Sequence, residues 1–170
     1  MYGRHETDFV RMCETEEMDL VFTATPWEWH VPVCVSAMGN GKHAATEVPA
    51  AYTTDDCWRL VEYAEKHQKH CVMMENCNYD RPEMMVFHMA RLGLFGDILH
   101  AECGYLHDLR EIKFSETGEG LWRRAHSMVR NGNLYPTHGL GPVANVMDIN
   151  RGDQFEYLVS MSSPAQGLQE

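Results

Sequence analysis

Residues 19–51, DLVFTATPWEWHVPVCVSAMGNGKHAATEVPAA, decide the fold. Asp19 to Ala24 is a short apolar run of strand type, and Thr25-Pro26 stops it, because a residue before proline is pushed out of the helical region. Trp27-Glu28-Trp29-His30 then reads as loop. Pro32 suits the first turn of a helix, where its missing N–H costs nothing, and Val31, Val35 and Met38 give that helix an apolar stripe. Gly39-Asn40-Gly41 closes it, and Lys42 to Glu47 is the next strand. A strand–helix–strand unit this short predicts a parallel pair joined by a right-handed crossover. Trp27–His30 and Glu47-Val48-Pro49 are therefore expected on one edge, the carboxyl edge of the sheet, where open α/β sheets bind ligands. Glu47 follows a strand of small apolar residues and precedes Val-Pro, a poor position for solvation, so it calls for a partner.

Working outward, Thr7 to Glu16 carries Phe9, Val10 and Met12-Cys13 at helical spacing, with Thr7 as N-cap. On the other side, Thr53-Thr54-Asp55-Asp56 is a capping cluster. Trp58, Leu60-Val61 and Ala64 form the expected buried stripe of a helix reaching about Gln68. Cys71 to Glu75 is a third strand, with Asn76 at the same carboxyl edge. A boundary falls near Asn78 to Asp80, bridged by a helix over Arg81 to Leu92 whose Met84-Met85, Phe87-His88 and Met89 read as core filling. Asp97 to His107 alternates as a strand, Phe114 to Gly120 is a polar loop and Asn131-Gly132-Asn133 a turn. Thr137 to Asn150 fits a helix and Phe155 to Ser162 a last strand.

The chain has 170 residues and a formal net charge of −11. That balance argues against sequence-independent binding to nucleic acid or to an anionic membrane, since no basic excess exists to neutralise phosphates. No apolar run approaches the ~20 residues needed to cross a bilayer, and no basic-then-apolar leader opens the chain. A soluble protein is expected, in the cytoplasm or exported folded. Its six cysteines contain no C-x-x-C pair and read as free thiols, and no metal site is expected, because neither cysteines nor histidines show ligand spacing.

ATPWEWHVP, GKHAATEVPAA, CVMMENCNYD, AECGYLHDLRE, NGNLYPTHGLGPVANVMDINRGD and YLVSMSS resemble the glycosyl hydrolase 109 family. That family is the NAD-dependent glycosidase branch of the glucose–fructose oxidoreductase and inositol dehydrogenase superfamily, known for α-N-acetylgalactosaminidase activity. The resemblance implies the C-terminal part of a Rossmann-type parallel-sheet domain (residues 1–79), followed by the start of an α+β domain with an open, mostly antiparallel sheet (residues 80–170). It also implies a fragment, because the strand, G-x-G-x-x-G turn and helix that hold a pyrophosphate do not occur here. By itself such a fragment is expected to be inactive, and copies could associate through the open sheet.

Position by position, Trp27, Glu28, Trp29, His30, Glu47, Val48 and Asn76 resemble residues that contact NAD. Tyr105, Arg123, Tyr135, Pro136, Thr137 and His138 resemble residues that contact the sugar, and both sets are expected around one cavity. The implied chemistry oxidises the sugar 3-hydroxyl transiently, so that the C2–H becomes acidic. The aglycone is then eliminated, water adds and the hydride returns. Tyr135 and His138 are the first candidates for the bases, with His107 and Tyr105 behind them and Glu47 assisting. Val48 stands where most of the superfamily carries lysine, which disfavours an ordinary sugar dehydrogenase. The rival readings are such an oxidoreductase and a non-catalytic fragment.

Overall fold

The structure is a computed structural model describing residues 3–117 and 120–164. The chain divides into two compact units, residues 1–74 and 75–170.

In the first unit, α1 (Asp8–Thr15) leads into β1 (Leu20–Thr23), α2 (Trp27–Gly39), β2 (His43–Thr46), α3 (Thr54–His67) and β3 (Cys71–Met73). The strands form one sheet in the order β1-β2-β3, with β1 parallel to β2 and β2 parallel to β3. Leu20 faces His43 and Thr23 faces Thr46, so both strands finish level. The core lies between α2 and the sheet: Val31, Val33, Cys34, Ala37 and Met38 pack with Val21, Ala44, Cys13 and Leu60. Each large apolar side chain removed from water there contributes about 1.5–3 kcal/mol.

The Trp27–His30 segment is helix, not loop. Trp27, Val31, Cys34 and Met38 recur at helical spacing and all are buried, as are His30, Val33 and Ala37 between them. Burial of that broad face outweighs the local penalty of Pro32, which consequently sits inside the helix and offers no N–H to the Glu28 carbonyl four residues back. Pro26, with φ −54° and ψ 151°, takes the N-cap place. Thr7 does so for α1 without a side-chain bond. The Asp8 carboxylate instead accepts the N–H groups of Gly3, Arg4 and His5 at 2.8, 2.8 and 3.3 Å. Thr53 caps α3 as expected, its hydroxyl accepting the Asp56 N–H at 3.2 Å. Of the stripe expected on α3, Leu60 is buried while Trp58 and Val61 are exposed.

The second unit opens with a 3₁₀ turn, Asn76–Tyr79, followed by α4 (Arg81–Arg91), α5 (Arg110–Lys113), α6 (Gly120–Val129) and α7 (Thr137–Val146). The turn and α4 both pack on α7, and α5 packs on α6. The expected open, mostly antiparallel sheet is not found: the one sheet among the described residues is the parallel one. Asp97–His107 and Phe155–Ser162 join no ladder. Alternation marks a chain able to lie half-buried in a sheet, but a strand forms only when its N–H and C=O groups meet a neighbouring strand. Neither segment has one, and Leu99, Leu106, Tyr157, Leu158 and Met161 are almost fully exposed. Met84 and Met85, read as core filling, are exposed too. Gly118 and Glu119 of the expected loop lie outside the described residues, and the loop ends where α6 starts.

Candidate functional site

The polar groups of the second unit gather where the 3₁₀ turn meets the start of α7. Glu75 precedes the turn, and its Oε1 accepts the Cys77 N–H at 3.0 Å, which points the carboxylate back over the turn. The same oxygen lies 2.8 Å from His138 Nδ1. Glu75 is only 2% exposed. A carboxylate can only accept, so the His138 Nδ1–H is the donor of this bond. Cys77 Sγ lies 3.4 Å from the same Nδ1.

This approach depends on Gly141 of Thr137-His138-Gly139-Leu140-Gly141. A Cβ at Gly141 would stand 2.8 Å from Asn78 Oδ1, closer than real side chains tolerate, and tight at 3.0 Å from Glu75 Cγ. Aromatic rings frame the histidine: Tyr135 stacks on it at 5.6 Å and 5°, and Tyr105 lies tilted at 4.6 Å. Arg123, on α6, donates from Nε to the Tyr135 hydroxyl at 3.0 Å. The Tyr105 hydroxyl is 2.7 Å from His107 Nδ1. Burial, then the neighbouring Tyr135 and Cys77, push the Tyr105 phenol up. Burial first, then the negative charges of Glu75 and Asp80, push the Cys77 thiol up as well. Glu75 Oε2, Asn78 Oδ1, Glu83 Oε2 and Thr137 Oγ1 are buried without a hydrogen-bond partner.

In the first unit the carboxyl ends of β1 and β2 are tied together by His30. Its Nδ1 lies 2.7 Å from the Pro49 carbonyl and its Nε2 2.8 Å from the Thr25 carbonyl, and the ring is 1% exposed. With a carbonyl oxygen against each nitrogen, the ring links the segment after β1 to the segment after β2. Trp27 and Val48 are buried, Glu28 is exposed, and Trp29 packs edge-on to Phe9 at 6.0 Å. Glu47 is half-buried and its N–H donates to the Thr23 carbonyl at 3.0 Å. This edge offers the Thr25 hydroxyl, the Glu47 carboxylate and strand-end carbonyls, acceptors suited to a carboxamide on a flat heterocycle.

Of the residues expected to contact the sugar, Tyr105, Arg123, Tyr135 and His138 stand together, with His107 joined through Tyr105. Thr137 is the residue before His138, and Pro136, exposed, is the N-cap of α7. Asn76 is exposed at the start of the 3₁₀ turn. Glu75 and Cys77 were not foreseen. The signal for Glu75 was present: like Glu47, it is a carboxylate directly after a strand of apolar residues.

Residues 79–170 match the family described as glycosyl hydrolase 109, C-terminal domain, and residues 4–75 match the oxidoreductase family with an NAD-binding Rossmann fold. A glycosyl hydrolase family 109 protein of Solibacter usitatus is 55% identical over 162 residues, covering 95% of this chain and 37% of that protein. An alpha-N-acetylgalactosaminidase of Shewanella oneidensis is 50% identical over 168 residues, covering 98% of this chain and 37% of that protein. The chain thus spans little more than a third of the length of these relatives. Among solved structures, scyllo-inositol dehydrogenase of Lactobacillus casei aligns with a TM-score of 0.51 at 22% identity, over 54% of this chain and 28% of that one. That likeness bears on the fold alone. With the matched segment covering more than half of its residues, the chain belongs to the glycosyl hydrolase 109 family.

Proposed function

We propose that this chain supplies the nicotinamide edge and the sugar-side base of an NAD-dependent glycosidase that acts on α-N-acetylgalactosaminides. The observation that carries the reading is the buried Glu75 carboxylate bonded to His138 Nδ1, with the imidazole framed by Tyr105 and Tyr135. The relative from Shewanella oneidensis named as an alpha-N-acetylgalactosaminidase supports the substrate class.

In this reading residues 1–79 serve the cofactor and residues 80–170 the sugar. The half-buried Glu47 carboxylate and the Thr25 and Pro49 backbone, held in place by His30, receive the nicotinamide half. NAD, when bound, accepts a hydride from the sugar and returns it. His138 Nε2 takes a proton from the sugar, and the Glu75 carboxylate beside Nδ1 stabilises the imidazolium that results. Arg123 donates its Nε–H to the Tyr135 hydroxyl and so holds that ring against His138. The two tyrosine rings offer the apolar face a pyranose stacks on.

The test is hydrolysis of an aryl α-N-acetylgalactosaminide by a full-length protein carrying this chain. Turnover should require NAD, accumulate no NADH, and exchange the C2 hydrogen with solvent deuterium. Stoichiometric NADH with no released aglycone would make the protein a sugar oxidoreductase instead.

A further inference from the structure

We propose that Glu75, Cys77 and His138 form a binding site for a thiophilic divalent cation such as zinc. A carboxylate oxygen, a sulfur and an imidazole nitrogen come from two elements more than sixty residues apart in sequence, and these ligand atoms all lie within 4.8 Å of one another. Around a tetrahedral zinc, ligands about 2.0–2.3 Å from the ion stand roughly 3.3–3.8 Å from each other. The 3.4 Å from Sγ to Nδ1 already lies in that range, and the 2.8 Å from Nδ1 to Oε1 reaches it with a small outward movement.

A second observation points to a ligand here. Glu75 Oε2 is buried and has no partner, although the residue is 2% exposed. A buried carboxylate satisfied on one oxygen only bears a desolvation cost that a cation removes. The field agrees, because Glu75, Asp80 and Glu83 all act on the Cys77 sulfur as negative charges. Cys77 and His138 are half-buried, so an ion can reach them from solvent. On binding, the Cys77 thiol and the His138 Nδ1–H each release a proton to solvent, so affinity rises with pH. Three protein ligands leave a fourth position for water, which distinguishes this site from closed structural zinc sites.

Filling the site replaces the Glu75–His138 hydrogen bond, so bound zinc should stop glycoside turnover. That consequence rests on the role proposed for His138, whereas the site itself does not.

The test uses cobalt(II) added to the reduced, chelator-treated full-length protein. The expected result is a sulfur-to-cobalt charge-transfer band with the d–d absorption of four-coordinate cobalt, displaced by zinc. The band should be lost in Cys77→Ser and kept in Cys57→Ser, which removes an exposed thiol of the other unit. Glu75→Gln should weaken binding, with circular dichroism verifying that each variant is folded. A band that survives Cys77→Ser, or that disappears only with Cys57→Ser or Cys103→Ser, overturns the proposal. Cobalt bound through Cys77 with turnover intact supports the site and removes His138 as the base.

Discussion

The two units treat buried polar groups in opposite ways. In the first, the Thr23 hydroxyl is bonded to Thr25, Thr46 to the Glu47 carbonyl, Lys42 to the Asn40 carbonyl, and both His30 nitrogens face carbonyl oxygens. In the second, all four of the buried side-chain atoms without a partner among the described residues occur: Glu75 Oε2, Asn78 Oδ1, Glu83 Oε2 and Thr137 Oγ1. Unsatisfied buried groups cost about 1–3 kcal/mol each, so a chain keeps them where something else completes them. Among the described residues, the unpartnered buried side-chain atoms are thus confined to the second unit.

The contrast predicts where substitutions act. The largest effect should come from His138→Ala in a full-length protein carrying this chain, with turnover falling about 10²–10⁴-fold while NAD affinity, measured by calorimetry, stays unchanged. Equal loss of both would mean that His138 is structural and that the second unit is not the reactive one. Next, Met38→Ala in the fully buried core of the first unit should cost about 2–5 kcal/mol in denaturant unfolding followed by circular dichroism. Leu106→Ala, at a side chain 99% exposed, should stay within about 0.5 kcal/mol. A comparable cost at both positions would break the comparison.

A smaller effect sharpens it. Thr53→Ala removes the hydroxyl that caps α3 and should cost the first unit about 1 kcal/mol by the same measurement. The smallest concerns Asp8. Hydrogen bonds from the Arg4 and Gly3 N–H groups hold its carboxyl below the ordinary value of 3.8. A depressed native pKa makes the stabilisation complete above the unfolded value and removes it as pH falls through the native one. Asp8→Asn should therefore lower the melting temperature slightly at neutral pH and not at all at the acid end. A difference that grew with acid would reverse the sign of this linkage.

Much of the first unit was legible. Apolar runs of strand type, separated by helical periodicity and ended by Thr-Pro, Glu-Val-Pro and Glu-Asn, predict the parallel β1–β2 pair and a third strand ending at the same edge, as found. The start of α2 was not legible, since Pro32 argued locally for a later beginning and the burial of Trp27 and His30 overrode it. In the second unit, α6 carries a helical signal in the spacing of Leu121, Ala125, Met128 and Val129, and no helix was expected there.

Sequence by itself determined the family and the parallel strand–helix–strand unit, and the family resemblance alone grouped Tyr105, Arg123, Tyr135 and His138. Each follows from local pattern or from motifs that stand contiguous in the chain. Tertiary structure alone decided that Glu75 and Cys77 meet His138, because more than sixty residues separate them and only the close approach allowed by Gly141 brings the turn and α7 together. It also decided that Asp97–His107 and Phe155–Ser162 form no strand. Alternation belongs to a single segment, whereas a ladder needs a second segment to receive its hydrogen bonds, and that requirement is not written in either stretch.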